Sequence, residues 1–221
     1  MAISNWTGGP LARAMLWGCA CLFGIGATPR AQADPPTLSP ASECGDSSIA
    51  QRITAGYSPE ELRRLLDAGC DPLAPDRDGD TAVHAAAMAR DPVYLELLLA
   101  RGLSPDAPNR ISGRTPIMSA MLAERHRQFD MLLAAGANVA RADMTGNTPL
   151  HVAAQINEPR HVLALLKAGA PPAARNAQGQ SFQRYLFMTP VHLLNEETWR
   201  SRRAVTTWLL QHGIALETDT P

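Results

Sequence analysis

Four glycines, Gly79, Gly113, Gly146 and Gly179, follow one another at intervals of 34, 33 and 33 residues. A second set, Gly69, Gly102, Gly136, Gly169 and Gly213, is spaced by 33, 34, 33 and 44. Two independent ladders with one period make this chain a repeat array. Such a unit is a single supersecondary element that buries its apolar side only against its neighbours, so the core runs through the stack and is not gathered at one centre. Composition agrees: 45% of the 221 residues are hydrophobic but only 5% aromatic, with Ala and Leu dominant, as suits small helices in close contact.

The letters around each glycine say what a unit contains. TGNTPLHVAA at 145–154 joins a turn to a helix start: Thr148 is a good N-cap, and Pro149 fits the first helical position, where a missing N–H costs nothing. The pattern returns as DGDTAVHAAA at 78–87, SGRTPIMSAM at 112–121 and TPVHLL at 189–194. A second helix follows each start. In RHVLALLKAG, Val162, Leu163, Leu165 and Leu166 share a side and Gly169 ends the helix; in the second unit Asp91 caps, Pro92 begins and Gly102 closes. Asp76 and Asp143 open D-x-x-G turns, where an Asp side chain accepts from backbone amides.

The period, TPLHVAA at 148–154 and LLKAGA at 165–170 resemble the ankyrin repeat family, over residues 44–216. The resemblance implies an all-α solenoid of about five helix–turn–helix repeats with short β-turn fingers: 44–77, 78–111, 112–144, 145–177 and 178–216, then a tail, 217–221. The first unit lacks TPLH but has a clear second helix, SPEELRRLLDAG, with Ser58 as N-cap and Glu61 completing a capping box, and reads as an N-terminal cap. In the longer last unit, Thr189, Pro190 and His192 match a helix start, which makes 181–188 an insertion between finger and helix, serving either as extra capping or as a functional loop. The other register starts that helix at Ser181.

Residues 1–33 stand apart. They contain no Asp or Glu, an apolar run from 14 to 27, a break at Pro29, and AQA at 31–33 before Asp34. This is the layout of a secretory signal peptide cleaved after Ala33, with an uncleaved anchor or a lipoprotein using Cys19 as alternatives. The run is shorter than the ~20 residues a bilayer span needs, so no membrane insertion is expected after cleavage. A Pro-rich linker, 34–43, follows. The expected location is the periplasm or the exterior of a bacterial cell. Loss of Arg13 and Arg30 leaves 18 Lys and Arg against 21 Asp and Glu, a balance that does not suggest nucleic acid or an anionic membrane as partner. In an oxidising compartment Cys44 and Cys70, at neighbouring ends of two antiparallel helices, are disulfide candidates, with free thiols as the other reading.

His84, His151 and His192 share one motif position, which argues for scaffold and against chemistry; in the family this position resembles a structural histidine whose ring bonds backbone near the turn. Met118 takes that position in the third unit, so one such bond should be absent there. His126, His161 and His212 stand on second helices without companions at metal-ligand spacing, so no metal and no cofactor is expected. No nucleophile elbow or P-loop is present and no catalytic pair is evident. A rival reading places an enzyme site in 181–203 around His192, Glu196 and Glu197, testable by whether those side chains converge.

By resemblance, partners bind at the finger tips and the concave face of the first helices. The candidate contacts are Arg77, Asp80, Arg110, Ile111 and Arg114 on the fingers, with Met88, Leu122 and Ile156 lined up as an apolar stripe. The third finger, NRISGR at 109–114, is one residue longer and flanks Ile111 with arginines, a fit for an acidic partner. The expectation is a monomeric, non-catalytic protein-binding module. It would be an inhibitor or immunity-type protein, or an accessory factor of an exported enzyme such as one acting in oxidative stress.

Overall fold

A computed structural model describes residues 44–217; the expected signal segment, the linker and residues 218–221 lie outside the described residues. Short helices come in pairs: α1 (Ile49–Thr54) with α2 (Pro59–Asp67), α3 (Ala82–Met88) with α4 (Val93–Ala100), α5 (Pro116–Leu122) with α6 (His126–Ala134), and α7 (Pro149–Gln155) with α8 (Pro159–Lys167). A fifth pair, α9 (Phe182–Leu186) and α10 (Glu196–Gln211), is joined through a 3-10 turn, Val191–Leu193. No strand occurs among the described residues. None of these helices is long and apolar enough to cross a membrane.

The first helices of the pairs form an inner layer, α1 on α3, α3 on α5, α5 on α7 and α7 on α9, and the second helices lie outside them. The inner layer is built for close approach. Ala82, Ala86, Ala87, Ala120, Ala153 and Ala154 are all buried, because a larger side chain would push adjacent helices apart. The outer helices then supply bulk from one side only: Leu95 and Leu98, Phe129 and Leu132, Leu165 and Leu166. Where α8 ends, Gly169 takes φ 90°, a left-handed turn that lets the Ala170 amide donate to Leu165 O at 2.9 Å. The turns between inner and outer helices pass through Glu124 and Asn157, both at positive φ.

Both ends are finished differently from the middle. In the first unit Ser58 and Glu61 close the capping box of α2, the Ser58 amide donating to Glu61 at 2.7 Å and the Glu61 amide to Ser58 Oγ at 3.2 Å. These bonds hold the Glu61 carboxyl below its ordinary pKa. Cys44 and Cys70, 26 positions apart in sequence, are joined as a disulfide. A cross-link of that length contributes about 3.5 kcal/mol on the chain-entropy account.

The last unit corrects the sequence register. Its inner helix begins after Ser181, not at Thr189, so 182–186 is α9 itself, with Phe182 and Leu186 buried, and the extra residues fall between the two helices. The rule the structure follows is Gly-x-Thr/Ser: Thr81, Thr115, Thr148 and Ser181 each stand two residues after a finger glycine, and Thr189 does not. His192 is therefore exposed in the 3-10 turn and does not share the role of His84 and His151. The connection is held from α10, where buried Arg202 donates to Thr189 O at 2.5 Å and lies over the Phe187 ring at 4.9 Å. Residues after α10 return along the last inner helix: Gln183 donates to Ala215 O and accepts from the Glu217 amide, and Glu217 accepts from Ser181 Oγ and Arg175. That return covers the polar start of α9, where a sixth repeat would otherwise sit.

Candidate functional site

The fingers are stiff. Asp76 Oδ1 accepts from the amides of Asp78 and Asp80, both at 2.9 Å, and Asp143 Oδ1 accepts from those of Thr145 and Asn147. In alternate fingers the same work falls to Asn109 and Asn176, whose importance the sequence did not reveal. An asparagine adds donors that an aspartate lacks. Asn109 Nδ2 donates to Asp78 O and Asp80 Oδ1, and Asn176 Nδ2 to Asn147 Oδ1 and the Tyr185 hydroxyl, which ties each finger to its neighbours. Backbone bonds complete the ladder: Arg110 N to Gly79 O, Met144 N to Ser112 O, and Ala177 N to Thr145 O, at 2.8–3.0 Å. Gly146 sits at φ 78° with Ala177 N only 2.7 Å from where a Cβ would lie, so no other residue fits there.

Two of the fingers are anchored to the helix they feed by a histidine. His151 Nδ1 accepts from the Thr148 amide at 3.2 Å and lies 2.9 Å from its hydroxyl, while Nε2 meets Gln180 O in the next repeat at 3.0 Å. His84 makes the same set with Thr81 and Arg114 O. An amide can only donate and a carbonyl can only accept, so both rings are neutral with the proton on Nε2. Burial lowers the pKa of both. His151, flanked by Thr148 and by Pro149 at the first helical position, thus holds a turn and the adjoining repeat. In the third repeat Met118 makes no such bond, and the Thr115 hydroxyl is buried without a partner.

Between the second and third fingers and the inner helices lies a groove of about 350 Å³. Met88, Ile111 and Leu122 give it apolar surface; Asp78, Asp80 and Arg114 give it charge of both signs. Ile111 is 62% exposed and Leu122 42%, and Met144 is another exposed finger-tip side chain. Arg77 and Arg110 are exposed on neighbouring fingers, whereas Asp80 is half-buried and bonded to Asn109. The expected stripe is shorter than three repeats. Ile156 packs against the core, and the position equivalent to Met88 and Leu122 is Gln155, which donates to Asn147. The extra residue of the third finger shifts the count between the second and third repeats only, so carrying a 34-residue step onward lands one residue too far.

Two further side-chain sets bear on chemistry. His192, Glu196 and Glu197 do not converge: all three are exposed, and Glu196 pairs with Arg200 along α10. His126 and His161, read as lacking metal-ligand companions, do come together, with His126 Nδ1 at 3.1 Å from His161 Nε2 and Glu158 beside them. Burial, with His126 and Arg160 nearby, pushes the His161 pKa down to about 4.

The family model described as "Ankyrin repeats (3 copies)" matches residues 48–143, and the model "Ankyrin repeat" matches 145–177. Among curated proteins, the chain is 40% identical to Protein PhlB of Serratia liquefaciens over 144 residues, covering 63% of each chain. It is 35% identical to Inversin of Gallus gallus over 138 residues, 62% of this chain and 12% of that protein. It is also 31% identical to SH3 and multiple ankyrin repeat domains protein 2 of Homo sapiens, over 63% of this chain and 8% of that protein. The chain thus spans less than two thirds of the length of each of these relatives.

Proposed function

The chain belongs to the ankyrin repeat family, a family of protein–protein interaction modules, and on that premise we propose that it is an exported, monomeric binder that acts without catalysis of its own. The groove carries this reading. Ile111 stands out of a rigid finger beside the partly exposed Leu122 and Met88, with Arg110 and Arg114 on either side of it in sequence. An apolar anchor on a stiff support loses little freedom on binding, and a charged rim excludes wrong partners more than it adds affinity. The partner's matching segment would present an apolar side chain to the groove and carboxylates toward Arg77, Arg110 and Arg114. The Cys44–Cys70 bridge supports export, since such bonds persist in oxidising compartments. An inhibitor, an immunity-type protein and an accessory factor of an exported enzyme all use such a surface.

The experiment is capture of partners from the exported fraction of the source organism, read by mass spectrometry, with wild type beside Ile111→Asp and Leu122→Asp. One stoichiometric protein, retained by wild type and lost by both variants while circular dichroism stays the same, is the expected result. A partner retained by both variants would place binding elsewhere on the molecule.

A further inference from the structure

Successive outer helices are tied to the repeat before them in different ways: in the second repeat the Tyr94 hydroxyl donates to Tyr57 O. In the third repeat Arg125 Nε donates to Met88 O and Gln128 Nε2 to Ala89 O, so two long donors stitch the α6 start to the preceding repeat. Thirty-three residues on, the same positions are Glu158 and His161. A carboxylate cannot donate to a carbonyl, and His161 turns its Nε2 to His126 instead, leaving Nδ1 buried without a partner. Where the third repeat has two donors, the fourth has two metal-ligand types.

Their geometry is that of a site. One ligand atom each from His126, Glu158 and His161 lies within 4.8 Å of the others. The two ring nitrogens are 3.1 Å apart, against roughly 3.3 Å for two nitrogens on one tetrahedral zinc ion with bonds of about 2.0–2.1 Å. His161 is held by its burial and by the Phe129 ring at 4.2 Å, so one ligand is pre-positioned, while exposed His126 and half-buried Glu158 have room to adjust. Neighbouring cations are engaged elsewhere, Arg160 with Asp130 and Arg127 with Glu96. We propose that His126, Glu158 and His161 bind one borderline divalent cation of the zinc class and so staple α6 to α8. Three protein ligands leave a fourth position facing solvent for water or for a side chain of a bound protein.

The test is titration calorimetry of the folded full chain, free of any affinity tag, with zinc chloride and with magnesium chloride, alongside thermal unfolding. One zinc ion per chain, a raised unfolding midpoint with zinc and no response to magnesium are expected. His126→Gln and Glu158→Gln change exposed or half-exposed groups and should leave the metal-free midpoint in place while abolishing both zinc effects. His161→Gln, which copies Gln128 of the previous repeat, should also abolish them. Should that buried change fail to fold, the other two variants decide. Failure of wild type to take up zinc stoichiometrically, or zinc binding that survives in His126→Gln and Glu158→Gln, would overturn the proposal. It stands apart from the groove, since a molecule without zinc can still capture its partner and the reverse.

Discussion

In the fourth repeat the buried Thr148 hydroxyl meets His151 Nδ1 at 2.9 Å; in the third, the Thr115 hydroxyl is equally buried and meets nothing. Around that difference the two repeats are nearly the same object, with a proline opening each inner helix and Leu132 and Leu165 in matching outer positions. They part again at the surface. The third finger is longer and carries the exposed Ile111, and the third outer helix is tied to its neighbour by Arg125 and Gln128, where the fourth has Glu158 and His161. The apolar core positions are held in common, whereas the polar positions that reach a neighbouring repeat's backbone and those at the finger tip drift. A repeat can lose one shared bond, as the third has, because both neighbours still hold it.

The comparison breaks most visibly if the two repeats do not share one core. Leu132→Ala and Leu165→Ala each empty a fully buried site and should each cost about 2–5 kcal/mol in a urea titration, nearly equally. A cost near zero for one of them alone would show that its repeat opens before the rest, and the array would then not unfold as a unit.

Such equivalences could be read in advance wherever the chain states its own spacing. The two glycine ladders placed the pairs α2 to α8 and the finger turns, and Met118 announced the missing bond. Short motifs mislead where they disagree with the spacing. Thr189, Pro190 and His192 spell a helix start but do not follow a finger glycine by two residues, and without that finger Ser181 wins. A constant 34-residue step from Leu122 points to Ile156, one residue late, because the extra residue lies inside the 109–113 turn. The His126–Glu158–His161 cluster is invisible to local ligand spacing, since the first two stand 32 positions apart in sequence. The repeat period itself held the clue: one period beyond His126 falls at 159, between Glu158 and His161.

A smaller effect sharpens the contrast between the threonines. Thr148→Val keeps the shape but removes the hydroxyl that His151 uses, at a cost of about 1 kcal/mol. Thr115→Val at the equivalent position removes a buried hydroxyl that has no partner, and should be neutral or slightly stabilising. Opposite signs in the denaturation midpoints are expected; equal losses would mean that Thr115 is satisfied by water.

Supplying the missing ring is the finest form of the comparison. Met118→His puts an imidazole of similar volume where His84 and His151 stand in their own repeats, with Nδ1 toward Thr115 and Nε2 toward the carbonyl of Asn147, the residue that matches Arg114 and Gln180. Two new bonds, less the lost packing of the thioether, leave a gain of up to about 1 kcal/mol at pH 7.5. The gain must also titrate. Burial holds the histidines at this position below their ordinary pKa, so the folded state takes up protons less readily than the unfolded one. The stability that such a group contributes is complete above the unfolded value near 6.5 and is lost as pH falls toward the lowered folded value. Wild type carries two such groups, His84 and His151, and the variant three. The midpoint difference between them should therefore shrink, and can reverse, between about pH 7.5 and pH 5. A gain that persists unchanged at low pH would mean that the new ring points to solvent and that the variant is stabilised by something other than the bond its neighbours make.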